Sequence, residues 1–224
     1  MDVTPILISI KTASLAILIT FFLGLIAAKL VTGIRNEVLR SIIDGLLILP
    51  LVLPPTVAGF FLLYLFGVYR PIGKFLIDFL NIRVAFSWGA TVLAAVVMSF
   101  PLMYRSAMGA FELVDSNLIY AARTLGMSEW KIFWQVIMPV SMPGVISGGI
   151  LAFARGLGEF GATAMIAGNI AGKTRTVPLA IYSAVAAGDM ETAGKYVLFI
   201  TLLAVIIITS MNYFTTNRYF ASRR

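Results

Sequence analysis

The chain has no cysteine and no histidine. That removes disulfides, thiolate nucleophiles, the usual zinc sets and every triad built on imidazole. Charge is scarce as well. Only 12% of residues are Asp, Glu, Lys or Arg, against about 25% in soluble domains. Acids are the rarer sign, 10 against 17 Lys+Arg, so the net charge is +7. Such a balance can mark a nucleic-acid binder. Here the cations sit between apolar runs and form no patch, so membrane topology accounts for them and no nucleic-acid partner is expected. A basic leader is also missing. The only early cation, Lys11, lies inside the first apolar run, and that segment is expected to stay as a spanning helix. There is no low-complexity tract, soluble linker or short-period repeat.

What is present is apolar surface. Hydrophobic residues make up 60% of the chain, and the mean hydropathy is +0.97. Five segments can cross about 30 Å of hydrocarbon at about 1.5 Å per residue. They run over residues 5–29, 42–66, 84–104, 143–167 and 196–214. The predicted fold is all-α, a polytopic bundle of about five membrane helices in one domain, 1–224. An odd number of spans puts the termini on opposite sides. Lys29, Arg35, Arg40, Arg105, Arg123, Lys131, Arg218, Arg223 and Arg224 then share a side, and Lys11, Arg70, Lys74, Arg83, Lys173, Arg175 and Lys195 share the other. The small excess favours the first group as cytoplasmic, with the N-terminus outside and the C-terminus inside.

Two spans carry unusual residues. Pro50, Pro54 and Pro55 fall within six positions of the second, remove backbone donors and forbid a straight helix. The freed carbonyls must be buried in protein or face water, so the run is either a structural kink or part of a translocation path. The fourth holds Arg155 and Glu159. At helical period these share a face with Gly144, Gly148, Ala152 and Gly156, and Ile146, Ile150, Phe153, Leu157 and Phe160 take the opposite one. The small face is expected to meet protein and the bulky one lipid. Each charge costs about 2.5–3.5 kcal/mol at a helix centre, and each of the eight strongly apolar residues returns about 0.3–0.6 kcal/mol. The sum does not favour an isolated helix. Arg155 and Glu159 are therefore either a bundle-locking ion pair or a charged pair on the path.

The segment 116–139 is the one long amphipathic passage. Leu118, Ile119, Ala122 and Leu125 share a helical face. Gly126 can supply a left-handed cap, and Ser128 can cap a second helix with Glu129 in its first turn. Trp130, Phe133, Trp134 and Ile137 then recur at helical spacing before Pro139, predicting an aromatic helix along the membrane surface. Residues 167–174, AGNIAGKT, loosely fit a phosphate loop, but a membrane span precedes them instead of a strand, so no nucleotide site is expected there. Val177 is biased away from helix by Pro178, and residues 178–187 are too short to span, predicting a helix at the outer interface.

Three motifs carry a resemblance. Ala121, Ala122, Gly126, Val136 and Pro139 match the cytoplasmic loop of ABC importer permeases, with Tyr120 where that family usually has Glu and Met138 where it has Leu. Leu49, Pro50, Pro54, Pro55 and Gly59 resemble the proline-rich stretch of molybdate and sulfate permeases. Residues 154–189 resemble the same region of bacterial molybdate permeases, although the Gly158–Ala162 run is shared with sulfate permeases. The resemblance is to type I importers, and nearest to the molybdate and tungstate permease family. It implies a homodimer in a prokaryotic plasma membrane, two ATPase subunits on its cytoplasmic face and an oxoanion-binding protein outside. It also implies that the loop around Tyr120, Ala121, Ala122, Arg123, Leu125, Gly126, Met127 and Ser128 couples to the ATPase. Pro50, Pro54, Pro55, Arg155 and Glu159 then belong to the path. ATP would sit on the partner subunit, leaving this chain without cofactor or catalytic residue. A sulfate permease, a proton-coupled transporter using Glu159 and a membrane enzyme are the alternatives.

Overall fold

The structure, a computed structural model, describes the backbone of residues 2–221 and the side chains of residues 2–210. The cationic cluster at Arg218, Arg223 and Arg224 lies outside the described side chains. Among the described residues the elements are helical throughout. In chain order they are α1 (Thr4–Thr32), α2 (Glu37–Val52), α3 (Pro55–Phe66), α4 (Pro71–Leu80), α5 (Trp88–Glu112), α6 (Ser116–Thr124), α7 (Glu129–Ile132), a π turn (Phe133–Ile137), α8 (Met138–Leu157), α9 (Gly161–Ile166), α10 (Val177–Ala186) and α11 (Met190–Ala221).

Local chemistry sets several boundaries. Asn36 caps α2 by accepting the Leu39 N–H at 3.1 Å, and Ser87 caps α5 through Ala90 N–H at 3.4 Å. Asp115 caps α6 by accepting the Asn117 N–H at 2.9 Å. Val177 does open a helix despite Pro178. Thr176 takes the extended conformation before it, and proline in a first turn lacks only an N–H that would have no partner there.

Among the described residues four helices are long and apolar enough to cross a membrane, and a bent pair brings the number to five if it counts as one span. The pair is α2 with α3, which meet at 109°. The prolines therefore do more than kink the second span. Leu53 and Pro54 are extended, and Pro55 starts a new helix in a new direction. The fourth span also departs from expectation at both ends. Its helix runs without interruption from Glu129 to Leu157, so the aromatic segment is the first turns of the spanning helix and not a separate surface helix. Pro139 fails to end it because the wider π turn just before relieves the clash of the ring with the preceding carbonyl. At the other end the helix stops at Leu157, and α9 resumes only at Gly161.

Helices α1, α8, α2, α9 and α3 pack on α5, and α11 packs on α8 and α10. Threonine and serine pairs join α5 to α1, with Thr12 and Thr91 hydroxyls 2.9 Å apart and Thr20 and Ser99 3.2 Å apart. Glycines let α8 and α1 approach it. A methyl placed at Gly148 would lie 2.4 Å from Ser106 Cβ, one at Gly144 2.7 Å from Ala110 Cβ, and one at Gly24 2.6 Å from Met103 Cγ. The small face of α8 thus meets protein, as its spacing predicts. Polar pairs pin α2 to the opposite flank: Tyr104 donates to Asp44 at 2.8 Å, Arg105 lies 3.4 Å from the same carboxylate, and Arg40 pairs with Glu112.

Candidate functional site

Two regions gather the residues singled out by sequence. The first is the connection between α6 and α7. Gly126 has φ +72°, the left-handed conformation that favours glycine. Its N–H donates to Arg123 O at 2.9 Å, and Met127 N–H donates to Ala122 O at 3.2 Å. These two bonds form a Schellman cap that satisfies the last carbonyls of α6. Ser128 then caps α7 through Lys131 N–H at 3.4 Å.

An ion pair unseen in the sequence ties the two helices across this turn. Arg123 Nε donates to one Glu129 oxygen at 2.7 Å and Nη2 to the other at 3.1 Å.

The eight residues around the turn do not share one face. Tyr120, Ala121, Arg123, Leu125 and Ser128 are exposed, and Met127 is half-buried. Leu125 is 80% exposed and Ala122 only 5%, so the two cannot belong to one docking surface. Ala122 is held inside the turn, where its carbonyl also receives the capping bond. The outward large apolar groups include Leu118, Tyr120 and Leu125, followed by Trp130 and Trp134.

The loop is also tied to the distant first helix. Lys29 Nζ in the last turn of α1 stands 4.2 Å from the Trp130 ring centroid and 4.1 Å from that of Phe133. Such a contact stabilises by about 0.5–2 kcal/mol, depending on desolvation. A cavity of about 440 Å³ lies beside it, lined by Lys29, Phe111, Arg123, Glu129 and Phe133 among others.

The second region is where both broken spans meet. Glu159 lies in the break after α8 and is only 2% exposed. One carboxylate oxygen accepts the Ala162 N–H at 2.8 Å and the other accepts Arg155 Nη1 at 2.6 Å. Arg155 keeps 26% of its side chain exposed. The expected pairing is present, but Glu159 is not on the α8 helix. It anchors the first turn of α9, where a carboxylate suits the positive end of the helix. The proline break packs against the same turn. A methyl at Gly161 would lie 2.9 Å from Pro55 Cβ, and one at Gly59 would lie 2.7 Å from the Ala162 Cα. Pro55, with Pro54 just before it, is thus brought against the α9 turn whose Ala162 N–H Glu159 accepts. Pro50 remains inside α2, half-buried and one turn back.

The phosphate-loop likeness closes on itself. The N–H groups of Lys173, Thr174 and Arg175 all donate to Ile170 O at 2.9–3.1 Å, and Thr174 Oγ1 accepts the Ile170 N–H at 3.0 Å. Helix α9 precedes it and no anion cradle forms.

Broken spans joined at a buried acid, with a capped helix–glycine–helix turn at one end of the bundle, define a polytopic membrane permease. The chain matches the family of binding-protein-dependent transport system inner membrane components over residues 8–223, and it belongs to that family. It is 43% identical over 202 residues to the molybdenum transport system permease protein ModB of Escherichia coli (strain K12), covering 90% of this chain and 88% of that one. The ModB protein of Haemophilus influenzae is 40% identical over 207 residues, covering 92% and 90%. Among solved structures, the inward-facing MetNI methionine ABC transporter superposes with a TM-score of 0.74 at 14% identity, covering 96% of this chain and 94% of that one. A bacterial ABC transporter that imports alginate gives 0.77 at 12% identity, covering 96% and 79%. These last two likenesses are of fold.

Proposed function

We propose that this chain is the transmembrane subunit of an ATP-driven importer for molybdate or tungstate. The observation that carries the cargo is its 43% identity, over 90% of the chain, to a relative named for molybdenum transport. The chain acts as a homodimer with the 116–139 loop cytoplasmic, the N-terminus outside and the C-terminus inside. Two separate ATPase subunits hold ATP and bind the loop through Leu118, Tyr120 and Leu125, and this chain has no cofactor of its own. A binding protein delivers the oxoanion from outside, in keeping with the family's description.

The geometry supports a division of labour. Closure of the ATPases on ATP moves the capped α6–α7 unit. Because α7 is continuous with α8 from Glu129 to Leu157, that motion reaches the opposite end of the span as a rigid lever. At the far end sit Arg155, Glu159 and the proline break. A guanidinium there lowers the barrier for an oxoanion, since attraction in a low-dielectric region is several-fold stronger than in bulk water.

Detergent extraction of the tagged chain from its native membrane tests the class. An ATPase subunit is expected to copurify, and the reconstituted complex should hydrolyse ATP faster with molybdate-loaded binding protein. Proton-driven uptake by this chain alone would refute the reading. Uptake competed by sulfate and indifferent to molybdate would retain the class and correct the cargo.

A further inference from the structure

A second cation faces a cavity whose lining includes neither Arg155 nor Glu159. Arg105, Ser106, Gly109, Ala110, Ser141 and Ser147 are among the residues lining a space of about 490 Å³ between α5 and α8. Arg105 leaves 53% of its side chain exposed. Ser141 gives its proton to Ala110 O at 2.9 Å, and Ser106 and Ser147 add two further hydroxyls to the wall. Among the described residues no carboxylate lines this space. Asp44 stands behind it, 3.4 Å from Arg105 and already accepting the Tyr104 hydroxyl.

Its position along the bundle matters. The contacts of α8 on α5 run in register: Gly156 lies against Ala95 and Ser99, and Gly148 against Ser106. Arg105 is therefore displaced from the Arg155 level by roughly six to ten residues of α5, about 9–15 Å at 1.5 Å per residue, toward the 116–139 loop.

We propose that Arg105, with Ser106 and Ser147, forms a second station for a tetrahedral oxoanion on the loop-side half of the path. It rests on the permease reading given above. A planar guanidinium and hydroxyl donors are the groups that recognise such an anion. Asp44 opposes the cation and keeps the station weak, so that an anion can leave it. Two weak stations along one path are what passage requires, where one tight site would retain the cargo.

The test uses the complex of this chain with its ATPase, carrying Val140→Cys, at an exposed residue that lines the cavity but is not among the proposed ligands, in a chain with no native cysteine. Cysteine modification is timed with an anionic and a cationic thiol reagent of equal size. The ratio of the two rates reports the local field, whatever the cargo. Arg105→Gln is expected to lower the anionic-to-cationic ratio roughly tenfold, while Asp44→Asn raises it. Molybdate, or sulfate where the complex imports sulfate, should slow anionic labelling with Arg105 present and lose that protection in Arg105→Gln. Arg105→Lys should retain part of both. A purely structural Arg105–Asp44 pair predicts equal loss of complex from either partner's change, and no protection of the cysteine by oxoanion even with Arg105 present. That result overturns the station. Failure of the wild-type complex to couple ATP hydrolysis to any oxoanion would instead overturn the permease reading, and the ratio test would still stand.

Discussion

Gly126 offers a clean perturbation, because its φ of +72° is strained for any side chain while the space around it is empty. A methyl there meets nothing within 4 Å. Substitution therefore acts through the backbone alone. Alanine in the left-handed region costs about 1–2 kcal/mol, partly offset by about 0.4–1 kcal/mol from a stiffer unfolded chain. The net is about 1 kcal/mol, a factor of roughly five in the population of the native turn. Asparagine tolerates this region and should cost less. A β-branched valine should cost more than alanine. Proline cannot reach φ +72° and also deletes the N–H that Arg123 O receives at 2.9 Å, so the turn should be lost. The assay is oxoanion imported per ATP hydrolysed by the reconstituted complex, at matched complex yield. The expected order is Gly, then Asn, Ala, Val and Pro. A Gly126→Pro complex that assembles fully and keeps wild-type stoichiometry would refute the idea that this turn transmits the stroke.

Three further outcomes are expected. An impermeant thiol reagent outside intact cells should label Lys173→Cys and spare Ser128→Cys, and the reverse pattern would invert the topology; Thr174 is unsuitable for this because it is buried and holds its loop together. Lys29→Met should lower import per ATP about two- to five-fold, from the loss of about 0.5–1 kcal/mol, and should be silent in a Trp130→Leu, Phe133→Leu background; equal effects in both backgrounds would remove Lys29 from coupling. Exchanging Arg155→Glu with Glu159→Arg should fail to assemble, since an arginine at 159 cannot accept the Ala162 N–H, while Arg155→Gln should lower import more than complex yield; near-normal uptake by Arg155→Gln would leave that residue a structural role only.

What could be read from sequence was local. The left-handed turn at Gly126 and the cap at Ser128 depend on a few consecutive residues, and both formed as their types require. The small face of α8 was legible for a similar reason, because Gly144, Gly148 and Gly156 repeat at helical spacing over an unbroken helix. Glu159 was misplaced by the same reasoning. A wheel assumes continuity, and nothing in Leu-Gly-Glu-Phe-Gly announces a break as a proline would. The break is dictated by α3, about 100 residues earlier, where Pro55 and Gly59 accept the first turn of α9. Ala122 failed differently. Its spacing placed it with Leu125, but the Schellman turn folds Ala122 inward and leaves Leu125 outside. The tether of Lys29 to Trp130 joins residues a hundred positions apart, and no local pattern encodes it.

The two breaks also explain why a cation is wanted where Arg155 stands. Within α2, the carbonyls of Pro50 and Leu51 would accept from the N–H groups four residues on, and positions 54 and 55 are both proline. Those oxygens have no helical donor at membrane depth. Leaving them in hydrocarbon would cost several kcal/mol each, so they require protein or water beside them. Water there opens a route, but bare carbonyl oxygens repel an anion. A path lined by them alone would select against the proposed cargo. The turn of α9 that packs on Pro55 is capped by Glu159, and Glu159 holds Arg155 at 2.6 Å. The same contact that stabilises the break therefore delivers a partly exposed guanidinium beside it. On the proposed path its charge would offset the carbonyls, and Glu159 would limit how strongly it could hold the anion. On this argument the prolines and the ion pair are one device, and removing the Arg155 charge while Glu159 keeps its bond to Ala162 N–H should change transport before it changes the fold.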